Sequence, residues 1–271
     1  VLLRCVRHRL AGWFTLLLCA GLCCLTGCTW ITYLGTDATG SEHGRTYYVG
    51  GAGPFGHIGT IDVPHGLRQA GYEGSLEVFG WQGLIPSHLR DQIDRSRNEE
   101  QAHRLAQRVE AYLRHHPACP VNIIALSAGT GITTWALENL PDELQVNNVV
   151  FLGSSMSRDY DLRPALRHVR GRLYNFYSPD DPVLLHAVPI TGSVDRRTRG
   201  INVAGLFGFA APTGEDTPVA EVYGPRLRNM PYRKHYRDYG YDGMHTDGTS
   251  AAFVEHILAP LLLSPEDTPS P

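Results

Sequence analysis

The chain has 271 residues, 42% hydrophobic, 9% aromatic and 19% charged, which fits one generous globular domain or two small ones and excludes disorder as the main state. Its 24 Lys and Arg against 27 Asp and Glu give a formal charge of -3, so no broad basic field exists to hold nucleic acid, and no nucleic-acid partner is expected. The 29 glycines and 18 prolines are spread between apolar runs rather than gathered in one tract, which predicts many turns linking buried strands.

Arg4, Arg7 and Arg9 precede an uncharged stretch from Ala11 to Thr36, the layout of a positive n-region and an apolar h-region. The run reaches Leu25-Thr26-Gly27-Cys28, which resembles the lipobox of bacterial lipoproteins: an aliphatic residue, two small residues and a cysteine. The resemblance implies a signal peptide over 1–27, a lipid on Cys28 as the new amino terminus, and an anchored protein of the cell envelope facing the periplasm or exterior. The same uncharged run is also long enough to cross a bilayer as an uncleaved anchor. Cys5, Cys19, Cys23 and Cys24 fall within the signal, so Cys119 remains as a free thiol, and neither a disulfide nor a cysteine-rich metal site is expected.

In chain order, the small and polar residues that end Asp37-Ala38-Thr39-Gly40-Ser41-Glu42-His43-Gly44 read as part of a lipidated tether over 28–45. Strands are predicted over 46–49, 75–81, 121–126, 148–152 and 172–177, where β-branched and aromatic residues cluster between turn residues. Helices are predicted over 59–70, 97–116, 128–139 and 248–263; in the second, Ala102, Leu105, Ala106, Val109, Tyr112 and Leu113 recur at helical spacing before Pro117 stops it. Residues 264–271 read as a disordered tail, and 186–241 show few regular patterns. No internal repeat or second linker interrupts 46–263, so one domain is expected. Near-continuous apolar strands alternating with helices predict a mostly parallel sheet covered by helices on both faces.

The segment Val121-Asn122-Ile123-Ile124-Ala125-Leu126-Ser127-Ala128-Gly129 is a buried strand that ends in a serine between small residues and runs straight into a helix. It resembles the nucleophile elbow of the α/β-hydrolase superfamily, where a strained strand-to-helix turn needs small neighbours two positions either side. Ala125 stands where glycine is usual. After the strand over 172–177, Ser178-Pro179-Asp180-Asp181-Pro182-Val183 resembles the superfamily's acid loop, and Asp242-Gly243-Met244-His245 is a turn before the last helix, the usual place of its histidine. The resemblance implies an α/β-hydrolase fold with Ser127 as nucleophile, Asp181 rather than Asp180 as the orienting acid, and His245 as the base.

Following the first strand, Gly50-Gly51-Ala52-Gly53-Pro54-Phe55-Gly56 carries two readings. Gly51, Gly53 and Gly56 spell the dinucleotide fingerprint G-x-G-x-x-G, with Glu77 on the second strand as a ribose acid. Against this, Pro54 removes a backbone donor where a pyrophosphate is cradled. In the hydrolase reading the loop supplies an oxyanion N–H near Ala52 or Gly53, paired with that of Ala128. The tract Pro231 to Tyr241 interleaves bases with aromatics and reads as a solvated loop with tyrosines packed beneath it. His115 and His116 lack the spacing of a metal pair, so no metal is expected.

The expected function is serine hydrolysis of a small-molecule or lipid-like carboxylic ester through an acyl-enzyme, with no cofactor and with the membrane as partner through Cys28. The alternatives are a non-catalytic binding module of the same fold at the cell envelope, and a dinucleotide-binding protein using the glycine loop.

Overall fold

Tyr47 and Val49 point to one side of a sheet while Tyr48 points to the other, and all three are buried. The same alternation runs through Ile123 and Ala125 against Ile124 and Leu126, and through Val149 and Phe151 against Val150 and Leu152. Successive strand side chains face opposite sides, so runs apolar at every position must be covered on both faces. The computed structural model, which describes residues 33–82, 93–211 and 217–263, shows that arrangement. The lipobox with Cys28, the signal over 1–27 and the tail over 264–271 lie outside the described residues.

Six strands, β1 (Arg45–Val49), β2 (Ser75–Phe79), β3 (Val121–Leu126), β4 (Val149–Leu152), β5 (Leu173–Tyr177) and β6 (Leu227–Pro231), form one sheet in the order β2-β1-β3-β4-β5-β6. Every neighbouring pair is parallel. Helices α1 (Asp62–Gln69), α2 (Arg95–His115) and α3 (Gly129–Glu138) follow the first three strands. Four short helices come next, α4 (Arg163–Arg167), α5 (Pro182–His186), α6 (Val188–Thr191) and α7 (Ala204–Phe207), and then the ten-residue α8 (Thr217–Arg226). The last helix, α9, starts at Ala251–Phe253, widens to π geometry over Val254–Leu258 and ends as Ala259–Leu263. One core packs α2 and α3 on the face of Tyr47 and Phe151; the other packs α1 and α9 on the face of Tyr48 and Val150.

Several predicted boundaries change: the helix over 97–116 begins at Arg95, and that over 248–263 begins at Ala251 after a 3-10 turn. The strand over 75–81 ends at Phe79 because Trp81 turns to bond its Nε1–H to Gly50 O at 2.8 Å. The helix over 59–70 begins only at Asp62, after a 3-10 turn over Gly53–His57. Strand β6 is a sixth strand that the apolar pattern does not reveal: Leu-Arg-Asn-Met-Pro sits at the sheet edge, half-exposed. The expected tether is also corrected in its described part. Asp37 pairs antiparallel with Leu76 through N–H···O bonds of 2.8 and 2.7 Å, and Val78 N–H donates to Thr36 Oγ1 at 3.2 Å. Arg68 bonds the Asp37 carboxylate at 2.7 Å, and the Cys119 thiol donates to Glu42 O at 3.0 Å. Residues 35–44 are therefore a strap fastened along edge strand β2, and Arg45 already belongs to β1.

Helix α3 is buried along nearly its whole length and ends at the half-buried Glu138. Both Glu138 carboxylate oxygens lie within reach of the Tyr160 hydroxyl, which donates at 3.1 and 3.2 Å. Burial pushes the Glu138 carboxyl up to about 7, against the Tyr160 hydrogen bond, with Asp161 adding to the rise. The folded state thus holds this proton more tightly than the unfolded chain. Its carboxyl costs nothing below the unfolded range near about 4.3, and the cost grows as pH rises from there through about 7. Discounted for partial solvent screening, that cost is on the order of 1 kcal/mol at pH ~8. Glu138→Gln is expected to raise Tm by about 2–4 °C at pH ~8 and to leave it unchanged at pH ~5. Thermal melts of both proteins at the two pH values check this, and an unchanged or lower Tm at the higher pH contradicts it.

Candidate active site

Ser127 occupies the turn between β3 and α3 with φ +54°, one of two non-glycine residues among those described that hold positive φ. Such a backbone costs an ordinary residue about 1–2 kcal/mol, so packing on both sides must hold it in place. Ala125, fully buried, lies between Val49 of β1 and Phe151 of β4. A Cβ on Gly129 would stand 2.4 Å from Gly50 O and 2.5 Å from Val49 O, so the first turn of α3 is pressed against the loop leaving β1. The Ser127 N–H donates to Leu152 O at 2.9 Å, which continues the β3–β4 ladder through the turn. Thr130 Oγ1–H donates to Ser127 O at 2.6 Å and lies 2.8 Å from Ser154 Oγ, tying the elbow to the end of β4.

The acid loop follows β5. Asp181 is the N-cap of α5: its Oδ1 accepts from the N–H groups of Val183 at 3.0 Å and Leu184 at 3.1 Å. Pro182 biases the preceding residue toward extended backbone, and Asp181 has φ -62° and ψ 107°. With Oδ1 held by the helix, Oδ2 receives the His245 Nδ1–H at 2.7 Å, and both side chains are almost wholly excluded from water. Asp180, next door, is exposed.

His245 is carried on a loop after β6 that is shaped by Asp247, whose Oδ2 accepts from the N–H groups of Asp242 at 3.0 Å and Met244 at 3.2 Å. Tyr241 packs beneath it against Tyr236 and Phe253. Burial, then the charges of Asp181 and Asp247, raise the Tyr241 phenol above its usual range and keep it neutral. The tract 231–241 is thus a solvated loop whose buried Tyr236 and Tyr241 support the histidine loop from beneath.

Gly153 lies against the pair. It follows β4 directly beside Ser127, has φ +51°, and a Cβ on it would lie 3.1 Å from His245 Nδ1 and 3.3 Å from Asp181 Oδ2. The imidazole and carboxylate thus rest on Gly153, one strand spacing of about 4.8 Å from the elbow. In the sequence Gly153 is marked only by a glycine and small residues, Gly153-Ser154-Ser155, closing an apolar strand.

On the other side of the elbow, Ala128 is fully buried at the N-cap of α3, where the first N–H groups of a helix have no intrahelical acceptor. Ala52 is buried and Gly53 opens the 3-10 turn with φ +54°. Gly50, and Gly56 of the fingerprint, serve close packing. A Cβ on Gly50 would meet Gly56 O at 2.3 Å, one on Gly56 would meet the Gln82 side chain at 2.7 Å, and Gln82 Nε2 donates to Gly51 O at 2.9 Å. The helix that would receive a pyrophosphate starts only at Asp62, and Glu77 is ion-paired in mid-strand with Arg45 at 3.1 Å and with Arg108. The dinucleotide alternative therefore lacks both its helix end and its acid. His115 Nδ1 lies 2.6 Å from Ala111 O and His116 stacks on Tyr112, so both serve the end of α2.

No family model matches the chain, and no curated protein sequence does. Among solved structures, the chain is similar to Aspergillus fumigatus lipase B, with a TM-score of 0.52 at 11% identity over 87% of this chain and 56% of that one. It therefore spans little more than half of that protein's length. Similarity extends to a Trichoderma reesei cutinase in complex with a phosphonate inhibitor, at TM-score 0.37, 16% identity, and 55% and 74% coverage of this chain and that one. A Pyrococcus horikoshii acylaminoacyl peptidase gives 0.42, 13%, and 81% and 36%. With its six-stranded parallel sheet and helices on both faces, the chain has the α/β-hydrolase fold.

Proposed function

We propose that the chain is a serine hydrolase of carboxylic esters. Ser127 Oγ attacks the ester carbonyl and passes its proton to His245 Nε2, while Asp181 holds Nδ1–H and stabilises the imidazolium. The N–H of Ala128 and one near Ala52 or Gly53 receive the oxyanion. His245 then gives its proton to the leaving alkoxide, which departs as the alcohol, and takes one from the water that hydrolyses the acyl-enzyme. The observation that carries the reading is the buried 2.7 Å Asp181–His245 bond resting on Gly153, beside a serine at φ +54°. A fluorophosphonate probe should label the full chain, with the adduct on the peptide containing Ser127. Absence of labelling at that peptide sinks the proposal.

We also propose that Cys28 carries a lipid and forms the mature amino terminus, on the strength of Leu25-Thr26-Gly27 directly before it. Cys28→Ser should block both acylation and signal cleavage, giving a longer, unlipidated product by intact mass. A wild-type amino terminus at any other residue overturns this.

A further inference from the structure

In a parallel sheet every connection that leaves a strand starts at the carboxyl edge, where Ser127, Gly153, Asp181 and His245 gather. Most of the large apolar side chains left exposed gather there as well. Ile58 and Ile61 lie on the connection leaving β1, Ile190 and Ile201 on that leaving β5, and Met244 directly precedes His245. Tyr33 and Leu34 join them from the strap. Asp37 runs antiparallel to Leu76, so the residues before it climb toward the carboxyl end of β2, and Gly35 lies against Thr60 O. Among the described residues, these seven account for most of the exposed large hydrophobic side chains; Leu263, at the end of α9, lies apart from them.

We propose that this edge is a docking face for a phospholipid bilayer with anionic headgroups, so that the candidate site opens onto lipid. Two further observations name the occupant. The chain entering the domain at Tyr33 comes from the uncharged run beginning at Ala11, whether that run is cut at Cys28 or kept as a span. From Cys28 to Tyr33 an extended chain reaches at most about 18 Å, so the bilayer lies close to this edge. Arg196 and Arg199, both exposed, lie between Ile190 and Ile201, whereas the Arg197 guanidinium between them lies over the Tyr160 ring at 4.9 Å. Bases flanking apolar side chains suit the boundary between headgroups and acyl chains.

The patch is preformed. Buried Asp195 accepts from Ser157 N–H at 3.1 Å and Ser157 Oγ–H at 2.9 Å, pinning the loop to the chain after β4, and Thr198 N–H donates to Ser193 Oγ at 3.0 Å within the loop. From β2 to β5 the edge measures about 19 Å across, broad enough to lie on a surface rather than grip one side chain. An ester held in the outer layer of a bilayer would then reach Ser127 without leaving its lipid surroundings.

The inference rests on the proposed hydrolase only for that last consequence, and its test is independent of turnover. The full chain carrying Ser127→Ala is placed on vesicles of phosphatidylcholine and phosphatidylglycerol, and amide hydrogen exchange is followed by mass spectrometry. A second chain adds Ile190→Glu and Ile201→Glu, both at exposed positions, and both chains are also measured in nonionic micelles. On vesicles, amides over 187–203 should exchange at least about fivefold more slowly in the first chain than in the second, with 139–147 at the opposite edge unchanged. Equal rates in the two chains, or slowing at 139–147 instead, overturn the docking face. Slowing in micelles that grows with protein concentration assigns the edge to a second copy of the chain and also overturns it. A chain that docks in this way yet resists the fluorophosphonate probe would leave the bilayer face standing and remove the hydrolase.

Discussion

Asp181→Asn is expected to keep the fold and lower kcat/KM by about four orders of magnitude, the scale of the same change in a serine protease. Asparagine retains an Oδ1 that can accept from Val183 and Leu184 N–H, so the start of α5 keeps its cap at little cost. At the other atom the exchange is destructive. An amide Nδ2–H₂ would face His245 Nδ1, so the imidazole must present a lone pair there and carry its proton on Nε2, where the base needs to accept one. Asp180→Asn changes an exposed side chain and should cost less than tenfold, or about 1.4 kcal/mol of transition-state stabilisation. Both variants should be measured on one p-nitrophenyl ester alongside thermal melts. The reverse ranking would move the acid to Asp180; small and equal effects would remove this loop from the chemistry.

Ser127→Ala should remove fluorophosphonate labelling and lower ester turnover by about 10⁵–10⁶, leaving only what the oxyanion donors and binding supply. Stability should barely change, because alanine meets the same penalty at φ +54° that serine already bears. Ser127→Gly separates the two effects. Glycine is relaxed at positive φ but gains freedom in the unfolded chain, so the variant should be equally inactive and between equal to and about 1 kcal/mol more stable than Ser127→Ala. Labelling that persists in both variants would place the nucleophile elsewhere.

The central strands were legible because a strand buried on both faces is apolar at every position, as Val121–Leu126 is apart from Asn122. Asn122 explains itself in three dimensions, since its Oδ1 accepts from Asn148 N–H at 3.0 Å where the ladder begins. Edge strand β6 escaped because one flank needs no apolar cover, and Leu-Arg-Asn-Met-Pro carries neither alternation nor an apolar run. Helices α5, α6 and α7 escaped because four or five residues hold too few turns for a 3.6-residue period to register. At the candidate site, Ser127, Asp181 and His245 each stand out in sequence by local context, a strand end or a turn. The role of Gly153 does not, because it depends on two side chains from distant loops meeting above one backbone position. The strap was misread for a related reason: small polar residues suit a free linker as well as a segment held mainly by backbone hydrogen bonds.

That strap bears on where the protein can be cut. A fragment beginning at Thr46, where the apolar strand pattern starts, would lose the Asp37 bridge and the Thr36 acceptor and bare the outer backbone groups of β2 around Leu76 and Val78. An uncovered edge strand pairs readily with another of its kind, so such a fragment would gain a route to self-association that the longer chain lacks. Insolubility of that fragment would then reflect a boundary drawn a dozen residues too late, and restoring Gly35 to Arg45 should recover a dispersed protein.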